Sequence, residues 1–181
     1  MSDLKLGFLA SHTYNDGNVI RGAILITDIQ TKPLEFRVTS PIKPTNFQKT
    51  LYGNILAEHI LVDLITIPLL NSIKEKPDII IVRNPLFLKA NKNHDTRIIR
   101  IFKEDESPAI KKSEPQQLSS LGGEFEPVLI ETTENLNKDL NEIRKELAEV
   151  FKNRNLLEPF DRIAIACKQV HAKNIGENRN A

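Results

Sequence analysis

Two histidine pairings and one run of basic residues are the parts of this chain that could do chemistry. His59 and Asp63 stand four apart, so on a helix they share a face, and an imidazole with a carboxylate at that spacing can hold a metal if two further ligands arrive from elsewhere. Partners are scarce, because His12, Asp16 and Asp28 fall in turn-like segments that nothing in the sequence carries to that helix. The plainer reading is a solvated helix face or a His–Asp hydrogen bond. Cys167 and His171 are also four apart, the placement in which an imidazole lowers a thiol's pKa and activates it as a nucleophile. Cys167 lies among Ile163, Ala166 and Val170, however, and a buried structural thiol is the leading reading.

The basic residues Arg83, Lys89, Lys92, Arg97, Arg100 and Lys103 are opposed only by Asp95. Such an excess can touch phosphates, the sequence-independent part of nucleic-acid binding. No interleaved aromatics accompany it, Phe87 reads as core, and an ordinary solvated surface is the competing reading. No cofactor is expected: Gly122-Gly123 lacks the Lys-Ser or Lys-Thr of a phosphate loop, and Gly-x-Ser-x-Gly, His-Glu-x-x-His and Cys-x-x-Cys are all absent.

These groups need elements to hold them, and the composition is that of one folded unit. With 40% hydrophobic and 27% charged residues in 181, a single core is expected, giving one α/β domain over residues 1–175. Residues 103–123 read as a surface loop within it and 176–181 as a frayed tail. The net charge of +1 supplies no global field toward nucleic acid or an anionic membrane. One cysteine excludes an intrachain disulfide and suits a reducing compartment. The longest apolar run, Ile60 to Leu70, is broken by Asp63, Thr66 and Pro68 and falls short of the roughly 20 residues of a membrane span. The first residues lack the build of a secretory signal, so a cytoplasmic protein with no membrane contact is expected.

Lys5–Ala10 reads as a strand that turns back at Asp16-Gly17, Val19–Thr27 as a central strand, and Leu34–Thr39 as a half-exposed third. Thr45 or Asn46 caps a helix from Phe47 to about Ile73, which Gly53 and Pro68 should kink. Asp78–Val82 reads as a buried parallel strand, Arg97–Phe102 and Pro127–Thr132 as two more. Leu136, Leu140, Ile143, Leu147 and Val150 mark an amphipathic helix, and Pro159 opens a last one.

Hairpins, a crossover helix and a strand opening with Pro77-Asp78 together resemble the first half of the RNase H-like fold, in particular its endonuclease V branch. The segment Gly22 to Pro44, with Thr39-Ser40-Pro41-Ile42-Lys43-Pro44-Thr45 and then Leu51-Tyr52-Gly53, is also similar to a group of uncharacterised bacterial proteins, which implies no activity. The first resemblance implies a mixed sheet with antiparallel hairpins and a crossover helix, followed by C-terminal helices. It also implies carboxylates on the first strand and at later strand ends, to hold two metals about 4 Å apart. Lys5–Ala10 has no acid, and the crossover's exit strand ends in Val82-Arg83-Asn84. The leading expectation is therefore a non-catalytic interaction or regulatory module. It would act through a protein partner or as a homo-oligomer, using surplus apolar surface on the helix from Ile55 to Leu70. The alternatives are a divergent metal-dependent hydrolase or nuclease using relocated carboxylates such as Asp16, Asp28 or Asp63, or a nucleic-acid binder through residues 83–103.

Overall fold

Among the described residues, alternation and β-branched runs build one sheet of seven strands in the order β3-β2-β1-β4-β5-β7-β6. The computed structural model describes residues 3–112 and 114–179. Strands β1 (Leu6–Tyr14), β2 (Val19–Thr27) and β3 (Pro33–Val38) form an antiparallel meander, as the hairpin signals predict. Asn15, Asp16 and Gly17 turn the first hairpin with positive φ of 54, 57 and 85°. The first strand is longer than its apolar run: Ser11, His12 and Thr13 stay in the ladder because each is paired to β2. Strands β4 (Ile79–Val82) and β5 (Arg97–Lys103) then add parallel to β1. β6 (Gln116–Leu118) and β7 (Val128–Glu131) close the edge antiparallel.

Side chains alternate across the strands, so the sheet has two apolar faces and two covering layers. One face, with Phe8, Leu25, Ile81 and Ile99, is covered by α4 (Leu140–Phe151) and α5 (Glu158–Arg179). The other, with Leu9, Ile24, Ile80 and Ile98, is covered by the crossover helix and by a 3₁₀ helix at Pro85–Lys92.

The crossover begins at α1 (Asn46–Tyr52), which Thr45 and Gln48 start with a reciprocal capping box. Gly53, at φ 52°, ends it, and the chain resumes as α2 (Leu56–His59), a π-helical stretch at Ile60–Thr66 and α3 (Ile67–Ser72). The wide turn has a cause. Pro68 lacks an N–H and its ring would press on the carbonyl four residues back; the preceding turn opens, with Ile67 N–H donating to Val62 O and the Thr66 hydroxyl to Leu61 O at 2.7 Å.

By length and composition alone the stretch Asn46–Ser72 could cross a membrane, but Ile60, Leu61, Val62, Ile65, Leu69 and Leu70 are buried against the sheet. This closeness depends on Gly22 of β2, where a Cβ would stand 2.1 Å from the Ile65 side chain. The apolar surplus expected from Ile55 to Leu70 is thus mostly spent inside the molecule. What stays exposed is the stripe Phe47, Leu51 and Ile55, at 71, 66 and 61%, together with Leu64 at 38%.

The region read as a surface loop is partly tied down. Besides β6, it sends the Ala109 and Ile110 amides to the buried Glu131 carboxylate, which supplies acceptors that composition does not reveal. Past Gly176 the backbone continues as α5 to Arg179, where a frayed tail was expected; Asn180 and Ala181 lie outside the described residues.

Candidate functional site

The parallel part of the sheet ends unevenly. Leu9 pairs with Val82, the last residue of β4, while β1 runs on to Tyr14 with only β2 beside it. The step leaves a crevice of ≈ 190 Å³ at the carboxyl ends of the strands, the usual place for ligands in open α/β sheets. Ser11 and His12 line one side, Arg83 and Asn84 the other, and Phe87 and Phe160 reach in from the two covering layers. A second cavity of ≈ 410 Å³ shares Arg83 and Phe160 and adds Lys103 and Phe125, with Glu124, Glu126, Glu158 and Asp161 around it.

The sequence sets these positions locally. Asn84 caps the 3₁₀ helix, its side-chain oxygen accepting from Leu86 N–H at 3.0 Å, and so fixes the turn in which Arg83 sits. Arg83 Nη2 donates to both oxygens of Glu106 at 3.0 Å. Burial pushes the Glu106 carboxyl up, but the Lys103 amide at 2.6 Å and the Arg83 charge outweigh it and hold the group below its ordinary value. Burial lowers the His12 imidazole, which is therefore neutral near pH 7.

No carboxylate of β1 or the β4 terminus enters the crevice, and among the described residues no three His, Cys, Asp or Glu side chains come together to hold a metal. The relocated carboxylates do not converge: Asp16 and Asp28 flank opposite ends of β2, which at about 3.3 Å per residue keeps them far apart. His59 and Asp63 do meet, Nδ1 to Oδ2 at 2.8 Å, and bind each other on an outer helix face. Tyr52 stacks on the His59 ring at 4.4 Å.

The basic stretch divides, because β5 crosses the whole sheet. Arg83 lines both the carboxyl-end crevice and the second cavity, and Lys103 lines the second cavity. Lys89 and Lys92 face a separate groove of ≈ 350 Å³ with Tyr52 and His59. Arg97, at the opposite end of β5, donates to Glu146 at 3.1 Å and to the Asp78 carbonyl. Arg100 is buried and bound to Glu131 at 2.8 Å.

Cys167 is fully buried on α5, and His171 is turned to another partner. Arg21 Nε donates to His171 Nδ1 at 3.0 Å, and Tyr14 stacks on the same ring at 4.1 Å. Sequence reasoning passed over Arg21. The available signal was a charged residue inside the apolar run Val19–Thr27, which must be either edge-exposed or buried with partners.

A mixed sheet with an antiparallel meander, a parallel centre and helices on both faces is an RNase H-like architecture. Solved structures agree: endonuclease V from Bacillus subtilis superposes with a TM-score of 0.60 at 13% identity, covering 94% of this chain and 82% of its own. The catalytic domain of human endonuclease V gives 0.55 at 10% identity, covering 96% and 84%. The protein therefore has the endonuclease V fold. No protein-family model matches the chain, and no curated protein is similar to it in sequence.

Proposed function

We propose that the protein is a cytoplasmic binder of single-stranded nucleic acid, which it takes up along the crevice at the carboxyl ends of β1 and β4. The endonuclease name of the structural neighbours brings nucleic acid forward as the ligand. The observation that carries the reading is Arg83 at the end of β4, facing Ser11 and His12 across the step. Its Nη2 is held by Glu106, while Nε and Nη1 make no hydrogen bond among the described residues and the side chain is 34% exposed. A guanidinium so placed suits a phosphate, and Phe160 a stacked base. Binding rather than metal-assisted cleavage fits a crevice without carboxylates. The acidic residues around the outer cavity repel a second phosphate backbone, so one strand fits better than a duplex.

Fluorescence anisotropy with labelled single-stranded RNA and DNA tests this. Arg83→Gln should weaken binding and reduce the salt slope by about 0.7, the share of one phosphate contact on a single strand. Absence of binding by the unaltered protein at low salt overturns the reading.

The exposed stripe Phe47, Leu51 and Ile55 supports a second reading, self-association through α1. Stable dimers bury about 800 Å² per partner, and a triad of large apolar side chains suits the centre of such a patch. Sedimentation at micromolar concentration should give a mass above 20.5 kDa that Leu51→Glu returns to that value; a monomer throughout excludes it.

A further inference from the structure

The 3₁₀ helix at Pro85–Lys92 starts at the crevice and ends at the groove that Tyr52 and His59 line. Asn84 and Phe87, at its start, belong to the crevice; Lys89 and Lys92, toward its end, belong to the groove of ≈ 350 Å³. A 3₁₀ helix repeats every three residues, so Lys89 and Lys92 project from the same side, about 6 Å apart. Both are exposed, while the neighbouring Phe87, Leu88, Ala90 and Asn91 are buried. The helix therefore presents two ammonium groups in a row.

The opposite wall is aromatic. Tyr52 stacks on His59 with ring centroids 4.4 Å apart and 19° between the planes, and His59 is held in turn by Asp63, Nδ1 to Oδ2 at 2.8 Å. Breaks in the crossover bring the two rings together: α1 ends after Tyr52 at Gly53, and a 3₁₀ turn at Gly53–Ile55 leads into α2, whose last residue is His59. An aromatic pair fixed in this way takes a base with little further loss of side-chain freedom. The acids of the groove are already engaged, Asp63 by His59 and Glu58 by Lys89. The second pair, at 3.7 Å, is longer than the roughly 2.7–2.9 Å of a charge-assisted hydrogen bond, so Lys89 keeps its donors for a closer acceptor. Lys92 makes no ion pair among the described residues.

We propose that this groove receives the continuation of the strand held in the crevice, with Lys89 and Lys92 taking successive phosphates and the Tyr52–His59 stack taking a base. This rests on the single-strand reading of the crevice. Base–aromatic stacking and lysine–phosphate contacts are both indifferent to sequence, so the added site lengthens the footprint without selecting a base. From Asn84 to Lys92 the helix rises about 16 Å, the reach of about five stacked nucleotides. A trinucleotide in the crevice therefore stops short of the groove, and an octanucleotide reaches it.

Fluorescence anisotropy with oligodeoxythymidylates of these two lengths decides. The trinucleotide reports the crevice alone. The octanucleotide should bind at least about tenfold more tightly, within the yield of one base–aromatic stack, and its salt slope should be steeper by about 1.4, the share of two further phosphates on a single strand. Lys92→Gln should cancel half of that added slope. Tyr52→Leu, which keeps an apolar side chain and removes the ring, should abolish most of the added affinity. Equal affinities and slopes for the two lengths, or an added affinity and slope undiminished in both variants, overturn the groove and leave the crevice standing. No binding of either length overturns both.

Discussion

Arg100 and Glu131 face each other directly across β5 and β7, with Nη1 2.8 Å from Oε1 and the carboxylate completely buried. The same carboxylate accepts the Ala109 and Ile110 amides, and Arg100 donates onward to the carbonyls of Arg83 and Ser107. One ion pair therefore joins the sheet to the segment that follows β5 and to the turn that carries Arg83.

Glu131→Gln should destabilise the protein by about 3 kcal/mol, since it leaves a buried guanidinium without its anion. Replacing both partners, as Arg100→Met with Glu131→Leu, should cost less than the single change. Urea unfolding of the three proteins checks the order; a double variant worse than Glu131→Gln would mean that the backbone hydrogen bonds, not the charge, dominate.

Gly22→Ala should also be destabilising, by about 2 kcal/mol, because its Cβ would overlap Ile65 Cγ2 and the π-helical turn would have to move away from β2. Ile65→Ala removes the two nearest obstructing atoms, Cγ2 and Cγ1, so the double variant should be more stable than the sum of the two single losses predicts. Simple additivity in a double-mutant cycle would disprove the contact.

Stability should fall on acidification through His171. The ring accepts from Arg21 and is stacked on by Tyr14, and burial, followed by the charges of Arg21 and Lys43, lowers it. Its folded pKa lies below the unfolded 6.5, so its contribution is complete above that value and is lost as pH drops through it toward the folded pKa. His12, lowered by burial, acts with the same sign. Tm measured from pH 8 to pH 5 should decline, and His171→Gln should decline less; equal slopes would remove His171 as a cause.

Trypsin should cut first at Lys111 or Lys112. Both are exposed, after the amides bound by Glu131 and before β6 begins at Gln116. Mass spectrometry of the first fragments gives the position. A first cut at Lys103 would show that the Glu131 anchor does not restrain the segment.

Much of the scaffold is legible from local pattern. The hairpin at Asp16-Gly17, the buried strand Ile79–Val82, the Thr45 cap and the amphipathic spacing of Leu140, Ile143 and Leu147 depend on residues close in the chain, and each appears where its spacing requires. The lack of an acid on β1 and after β4 is equally a property of sequence, since register assigns those positions whatever the packing. Long-range contacts decided the rest. The six basic residues are neighbours in sequence but separate in space because β5 spans the sheet between its two ends. The apolar run at Ile60–Leu70 gains its partner only when Gly22 lets the helix approach. Arg21 and His171 are 150 residues apart, and no local rule joins a charge in a central strand to a histidine late in the last helix; laying α5 across the β1–β2 ribbon does.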